Sequence, residues 1–437
     1  MKKLLLILIF FLNLGIIFYF WFIKSGDLLF LGPAGLFISL GRITGLLAVY
    51  LVLWQLVLIG RVKFLEKVFG LDRLAIVHHF NGLLSWLFII LHPIFLIIGY
   101  GKSGQRGFWE QTGEFLWRGD DLLTAFLSLV IFIGVIFVSV AAIKKRLKYE
   151  AWYFIHLLTY LGIIWAFGHQ LELGNDLRNI YFAVYWYLLY IGAVGLLVYF
   201  RFLKPAYLFY SHRFYVERVV RENDQVVSLY IGGRDIQKFN YQSGQFAIFR
   251  FLDKKLFLEA HPFSFSSLPG DNYFRITIKN LGDFTATLAG RLQPRTPVLI
   301  DGPHGVFTTK RTVNQKLALI AGGIGITPIY AIFAGNSTSD QVLFYTEQTV
   351  DKLIFRKELE ILQGTKRKIH YILSQANVNN SETGRLDEEK IKRSLPDYLE
   401  RDFFICGPPL MIKAIRQTLI NLGIRQRRIY FEKFSLS

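Results

Sequence analysis

The sequence predicts a six-helix transmembrane bundle followed by an antiparallel β-barrel and a parallel α/β domain. Three observations carry this. Six long apolar runs crowd into residues 1–204 of the 437. From about Ser211 to Thr312, short β-rich runs alternate with Gly- and Pro-marked turns. After Lys316, strand-like and helix-like segments alternate, and the first junction is rich in glycine.

The apolar runs are roughly 4–23, 35–60, 74–100, 120–143, 151–170 and 179–200. Each is about long enough to cross a hydrocarbon core by helix geometry. The first begins after Lys2 and Lys3, as a signal peptide does. It is long and has no evident small-residue cleavage site, so it reads as a retained helix. The connections alternate in charge. Basic residues mark the N-terminus, the second connection (Arg61, Lys63, Lys67, Arg73), the fourth (Lys144, Lys145, Arg146, Lys148) and the stretch after the last run (Arg201, Lys204). Acidic residues mark the third (Glu110, Glu114, Asp120, Asp121) and the fifth (Glu172, Asp176). The positive-inside rule then puts both termini in the cytoplasm of a multi-pass protein of the cell (plasma) membrane. The net charge of +18 is partly these topogenic loops. Membrane lipid with anionic headgroups, not nucleic acid, is the partner it implies. Cys406 is the only cysteine, so no intrachain disulfide forms.

Four histidines sit inside two of these runs: His78 and His92 in the third, His156 and His169 in the fifth. An ionisable side chain at membrane depth is costly unless it has a task. Paired imidazoles on two helices suit axial ligation of two stacked haems; hydrogen bonding between helices is the plainer use. Both helices run from inside to outside, so His78 pairs with His156 at the inner level and His92 with His169 at the outer. The step of fourteen from His78 to His92 falls about 40° short of four turns and rises roughly 21 Å. The step of thirteen from His156 to His169 leaves about 140°, so that helix is distorted or its rings reach round. His79 competes with His78, since its step to His92 is also thirteen.

Beyond the runs, Phe214–Arg221, Val226–Ile231, Gln245–Phe251, Tyr273–Lys279 and Pro297–Ile300 are expected strands of a small antiparallel barrel. Three clusters lie among them, each readable alone as an ordinary turn: His261-Pro262-Phe263-Ser264-Phe265-Ser266-Ser267, Lys279-Asn280-Leu281-Gly282-Asp283-Phe284-Thr285 and Asp301-Gly302-Pro303-His304-Gly305. Leu317–Ala321 then runs into Gly322-Gly323-Ile324-Gly325-Ile326-Thr327-Pro328. A glycine-rich turn between strand and helix lets backbone N–H groups approach a pyrophosphate. Alternation continues through Gln341–Thr346, Leu353–Leu362, His370–Ser374, Asp387–Ser394 and Phe403–Cys406, as in a parallel sheet. Its later edge carries Cys406-Gly407-Pro408-Pro409-Leu410-Met411.

These clusters, in this order, resemble the ferredoxin–NADP reductase superfamily fused to a ferric-reductase-type membrane domain, as in NADPH oxidases and ferric-chelate reductases. The resemblance covers nearly the whole chain and includes Gly41-Arg42 in the second run. It implies a six-helix transmembrane bundle plus an antiparallel β-barrel FAD domain and an α/β nucleotide-binding domain, with boundaries at 1–204, 205–312 and 313–437. The family's spacings of fourteen and thirteen favour His78 over His79. The family's roles, carried over to matching residues, set His261, Pro262, Phe263 and Ser264 along the FAD isoalloxazine and ribityl-phosphate. Lys279, Gly282 and Thr285 match the segment that holds the FAD pyrophosphate. Gly322, Gly323, Gly325, Thr327 and Pro328 match the dinucleotide loop. Cys406, Gly407 and Pro408 flank the nicotinamide. Phe434 is the candidate for a terminal aromatic over the flavin, with a core aromatic of the last strand as the other reading.

The resemblance thus implies an NAD(P)H oxidase or ferric-reductase-type enzyme with FAD, two b haems, and NADPH or NADH. Electrons would pass from cytoplasmic NAD(P)H to an external acceptor, O2 giving superoxide, or a ferric chelate. A haem-free, membrane-anchored flavin reductase is the rival. Arg42 is expected near the outer haem, on a propionate or at the oxygen site, or as a charge snorkelling to the headgroups. One departure concerns the nucleotide. Tyr345-Thr346-Glu347-Gln348-Thr349 stands where NADPH-specific relatives place arginine, and a carboxylate at Glu347 repels a 2′-phosphate while accepting from a free ribose hydroxyl. No EF-hand loop or long extension is evident, so neither calcium control nor a regulatory subunit is implied.

Overall fold

The computed structural model describes residues 2–117, 120–143, 149–375 and 381–433. The chain divides into two compact units, one ending at Arg201 and the other beginning at Phe202.

The first unit is helical: α1 (Lys2–Ser25), α2 (Gly32–Ile59), α3 (Lys63–Phe69), α4 (Leu71–Ser103), α5 (Phe108–Trp117), α6 (Asp120–Ile143), α7 (Tyr149–Leu173) and α8 (Ile180–Val198). α1, α2, α4, α6, α7 and the run from Ile180 are long and apolar enough to cross a membrane. Two connections that read as loops contain the short helices α3 and α5, and the basic residues 144–148 of the fourth lie outside the described residues. Local chemistry sets several ends. Pro33 stands in the first turn of α2, where a missing N–H is harmless. Asn179 caps α8 by accepting from the N–H groups of Tyr181 and Phe182 at 3.0 and 3.3 Å. Pro93 lies inside α4 without breaking it.

Small residues decide which helices close up. A Cβ at Gly41 would lie 2.6 Å from Leu96 Cδ2, one at Gly45 2.6 Å from His92 Nδ1, and one at Gly99 2.7 Å from Ile38 Cγ1. α2 therefore packs along α4 through glycines, as apolar helices do where lipid competes equally for larger side chains. α7 packs along α6, with Ser128 Oγ donating to the Gly162 carbonyl at 2.8 Å.

The second unit opens with α9 (Lys204–His212), which follows a π-helical segment, Tyr199–Leu203. The barrel comprises β1 (Tyr215–Asn223), β2 (Val226–Gly232), β3 (Phe246–Phe251), β4 (His261–Ser264), β5 (Phe274–Lys279), α10 (Asp283–Arg291) and β6 (Val298–His304). Its two antiparallel sheets have orders β1-β2-β5 and β4-β3-β6, bridged at Tyr215–Pro297 and Phe265–Ile276. An aromatic core that includes Phe214, Phe239, Tyr241, Phe249, Phe265 and Phe274 fills it. The expected strands are present with shifted ends. The histidine cluster, readable as a turn, is a strand: β4 pairs with β3 from Phe246–Ser264 to Phe249–His261. Its Pro262 hid that pattern, because a proline withdraws a ladder donor.

The remainder is a parallel sheet: β7 (Leu317–Gly322), α11 (Ile326–Gly335), β8 (Gln341–Glu347), α12 (Arg356–Leu362), β9 (Arg367–Leu373), β10 (Ser381–Thr383), α13 (Glu388–Ser394), β11 (Asp402–Gly407), α14 (Pro409–Asn421) and β12 (Ile429–Lys433), in the order β10-β9-β8-β7-β11-β12. The Cys406 segment was expected at the later edge; β11 instead lies between β7 and β12, which takes the edge. β7 and β11 are buried along their whole length, which central parallel strands require. Asp402 pins the link from the barrel. Its carboxylate accepts from the N–H groups of Val313 and Asn314 at 2.6 and 3.2 Å, and from Arg428 Nε at 3.1 Å.

Candidate functional site

In the first unit, α4 and α7 have little backbone packing with each other; their histidines bridge the space between them. The ring centroids of His78 and His156 are 6.3 Å apart, and those of His92 and His169 are 6.5 Å apart. Two imidazoles on one iron, each nitrogen at about 2.0 Å, hold their centroids about 6.2 Å apart. Both pairs fit that span. α7 is continuous through its thirteen-residue step, so the rings reach round and the backbone is not broken. His79 is exposed and edges onto Phe80, which leaves His78 facing α7.

The tautomer of His92 follows from its partner. The Gly41 carbonyl, 2.7 Å from His92 Nδ1, can only accept, so Nδ1 carries the proton and Nε2 keeps its lone pair for a metal. At the inner level Ser139 Oγ donates to the Val135 carbonyl and accepts from Trp152 Nε1, and His156 Nδ1 approaches it at 3.4 Å. Among the described residues, His78 Nδ1 and His169 Nδ1 are buried with no hydrogen-bond partner. Beside His169, Gln170 exchanges hydrogen bonds with Tyr190 and accepts from Trp186 Nε1 at 3.1 Å, which ties α7 to α8. Arg42 follows Gly41 and donates to Ser25 Oγ at 3.1 Å. Burial raises the Asp176 carboxyl above the usual range, with the charges of Arg42 and Lys24 offsetting part of this. The sequence marked Asp176 only as a loop acid; its closeness to Arg42 was hidden, since 134 residues separate them.

In the barrel, β4 presents His261, whose ring stacks on Phe284 at 3.8 Å and whose Nε2 lies 3.1 Å from Glu259 Oε2. Pro262 and Phe263 are half-buried, and Ser264 is buried. Phe284 belongs to α10, so β4 and the turn after Lys279 at the end of β5 form one surface. Thr285 Oγ1 accepts from the N–H groups of Leu281 and Gly282 at 3.0 and 3.1 Å, and donates to the Gly282 carbonyl. The turn is thereby held open, and a Cβ at Gly282 would meet nothing within 4 Å.

In the parallel sheet, chain order reverses between β7 and β11, a switch point of the kind beyond whose carboxyl strand ends such sheets bind ligands. Glycines let three segments of the chain meet closely there. A Cβ at Gly322 would lie 2.4 Å from Met411 Sδ, one at Gly325 2.2 Å from the Cys406 carbonyl oxygen, and one at Gly407 2.4 Å from Met411 Cε. Gly323 has φ +55°, in the left-handed region. Thr327 Oγ1 donates to the Ile324 carbonyl at 3.0 Å and, with Pro328, starts α11. Pro408 directly precedes α14. Glu347 ends β8, and a Cβ at Gly323 would stand 3.4 Å from its Oε1, so its carboxylate borders the turn. Cys406 is fully buried. Burial, and then the charge of Glu432, push its thiol well up, so it stays protonated. Phe434 lies outside the described residues.

Three family models match the chain: a ferric reductase like transmembrane component over residues 44–167, an FAD-binding domain over 211–308 and an oxidoreductase NAD-binding domain over 319–417. Among curated proteins it is similar to a flavohemoprotein of Oceanobacillus iheyensis, 24% identical over 237 residues, which cover 51% of this chain and 58% of that one. It is also similar to the glycine betaine monooxygenase reductase subunit of Chromohalobacter salexigens, 27% identical over 210 residues, covering 45% and 56%. The chain thus spans little more than half the length of these relatives. Among solved structures, the FAD/NAD binding domain of nitric oxide dioxygenase from Vibrio cholerae is 20% identical, with 51% of this chain and 98% of that one covered at a TM-score of 0.46.

Proposed function

The chain has the architecture of the NADPH oxidase and ferric reductase family, and from that premise we propose that it is a transmembrane flavocytochrome b, an NAD(P)H-dependent oxidoreductase that carries electrons to an acceptor across the membrane. Bound to the three sites, FAD would accept a hydride from the nicotinamide and release single electrons, which two b haems would relay outward. The observation that carries the haem part is the spacing of 6.3 and 6.5 Å between two histidine pairs on α4 and α7.

His78 and His156 would hold the inner group, His92 and His169 the outer. Gly41 fixes His92 in the tautomer that leaves Nε2 free. β4, from His261 to Ser264, and the Lys279–Thr285 turn would hold FAD. The switch point at Gly322, Gly323, Gly325, Gly407 and Pro408 would seat the pyrophosphate and nicotinamide of the second nucleotide, with Thr327 and Pro328 starting the helix behind it. Glu347 would accept from the free 2′-hydroxyl of NADH and repel the 2′-phosphate of NADPH. A protonated, buried Cys406 would pack beside this site and not act as a thiolate.

Each haem would be held by two of these imidazoles, His78 with His156 and His92 with His169, and would supply one-electron transfer without needing to bind the acceptor. That favours an acceptor reduced without binding the metal, and we assign O2, giving superoxide. Arg42 would supply positive charge at the outer level. The orientation with both termini cytoplasmic follows from the basic connections.

The absorption spectrum of the purified protein tests the haems. A six-coordinate b-type pattern at two haems per chain is expected, and flavin absorbance alone would establish the haem-free reductase instead. Superoxide-dismutase-sensitive reduction of cytochrome c tests the acceptor. NAD(P)H oxidation that requires an added ferric chelate and yields no superoxide in air would replace the oxidase with a ferric-chelate reductase.

A further inference from the structure

Within the second unit, β5 of the barrel lies against the glycine turn of the parallel sheet. Arg275, on β5, bridges the two. Its Nη1 donates to Glu358 Oε1 at 2.7 Å and its Nη2 to Glu358 Oε2 at 3.0 Å, and Glu358 stands on α12 of the parallel sheet. The other donors stay in the barrel, where Nε and Nη2 reach the Ser266 carbonyl at 3.2 and 2.9 Å. The guanidinium carbon lies 4.1 Å from the Phe355 ring centroid and 4.9 Å from that of Tyr330. Tyr330 belongs to α11, the helix that leaves the glycine turn, and Phe355 directly precedes α12. One side chain, only 5% exposed, thus touches the barrel, the helix α11 that leaves the glycine turn, and the start of α12.

Two features mark this contact as geometric in purpose. Phe355 has φ 60°, a left-handed conformation that a bulky residue adopts only where its surroundings impose it. The Arg–Glu contact is a two-pronged fork, which fixes angle as well as distance; a lysine could not replace it. Burial alone would raise the Glu358 carboxyl, but the hydrogen bonds from Arg275 and Tyr330 hold it below the usual range, so it is ionised and the fork is intact at neutral pH.

We infer that Arg275 and Glu358 form a clamp that sets the separation of the flavin side from the nicotinamide side, and that both are positioning residues for hydride transfer. The inference rests on the reading above that FAD occupies the barrel surface and the nicotinamide nucleotide the switch point. Hydride transfer needs its reacting atoms within about 3–3.5 Å, and a displacement of about 1 Å can lower a rate by roughly 100-fold. Two packed halves keep that tolerance only if their angle is fixed, and the fork joins the two halves next to the strand that meets the glycine turn.

The full-length protein in lipid nanodiscs tests this through Glu358→Ala, where the side chain is 41% exposed and its loss should spare the fold, and through Arg275→Lys. Anaerobic stopped-flow reduction of the flavin, measured against NADH concentration, separates rate from binding. The saturating rate should fall about tenfold or more in both variants while the nucleotide Kd stays within about twofold. A saturating rate equal to that of the parent overturns the clamp, whatever happens to Kd. Spin labels give a readout free of turnover. Cys406 is the one native cysteine and is buried, so Asp224→Cys in the barrel and Lys413→Cys on α14, both exposed, label cleanly. The distance distribution between them should be narrow in the parent and broaden with Glu358→Ala; an unchanged width overturns the clamp. If the parent flavin is reduced by neither nucleotide, the electron-transfer reading falls, and the label distances alone decide the clamp.

Discussion

At the residue scale, the proposed reading has the membrane histidines divide the labour by level, and their variants should divide it too. His92→Ala or His169→Ala is expected to remove about half of the haem per chain, because in that reading each outer ring would be one of two ligands to one group. Transfer to the external acceptor should stop while flavin reduction by NAD(P)H survives. A pyridine haemochromogen assay checks the first point, and full haem content in both variants would sink the ligand assignment. Glu347 makes a second prediction. Its carboxylate borders the turn at Gly323, so Glu347→Arg should move the ratio of kcat/KM from NADH towards NADPH by roughly 100-fold, or ~2.7 kcal/mol of differential stabilisation. A wild type that already prefers NADPH by that factor would show that other residues bind the phosphate. These candidates stand out in the sequence because each residue is unusual where it stands: a histidine in hydrocarbon, a carboxylate where the resemblance implies arginine. Glu358 does not, because an acidic residue on a short helix looks like ordinary surface until its partner, 83 residues away, is placed beside it.

At the element scale, the contact of α2 with α4 is made by residues that are absent as side chains. Gly45→Ala would drive a methyl to 2.6 Å from His92 Nδ1, closer than real Cβ contacts come, so either α2 or the imidazole must move. Overpacking of this kind costs about 1–3 kcal/mol, and here the strain falls on a ligand candidate. The outer haem spectrum should shift or vanish with helix content by circular dichroism unchanged. Gly192→Ala on α8, where a Cβ meets nothing within 4 Å, is the matched control and should leave the spectrum intact. Periodicity and length were enough to find the six spanning runs, since hydrocarbon demands about twenty apolar residues in a row. They could not reveal β10 or β12, strands of three and five residues whose pairing depends on neighbours distant in sequence. They also hid β4, where the proline and two half-buried neighbours erase the alternation that signals a strand.

At the scale of the whole molecule, the parallel sheet should carry an acid limit of its own. Burial tends to raise the Asp397 carboxyl, but hydrogen bonds from Arg401 and Lys316 outweigh it and lower the group to about 2. A carboxyl depressed on folding stabilises the native state above its unfolded value, and that contribution disappears as pH falls through the folded one. The window therefore runs from about pH 4 down to about pH 2, and with solvent screening at this open site the contribution is at most ~1 kcal/mol. Thermal melting followed by flavin fluorescence should vary little with this group from pH 7 to 5 and steepen below 4. Asp397→Asn should lower the melting temperature at neutral pH and flatten the acid limb; a limb unchanged in that variant would assign it to other groups. The short strands at the two margins of this sheet bear on something different, the behaviour of many copies together. A bilayer confines its proteins to two dimensions, where local concentration is high and an open row of backbone N–H and C=O groups invites strand exchange. Among the described residues β10 spans three positions, and β12 carries Glu432 and Lys433. Over the described residues, a three-residue strand at one margin and paired charges at the other give a neighbouring chain little to zip onto, which works against strand exchange when copies crowd in the membrane.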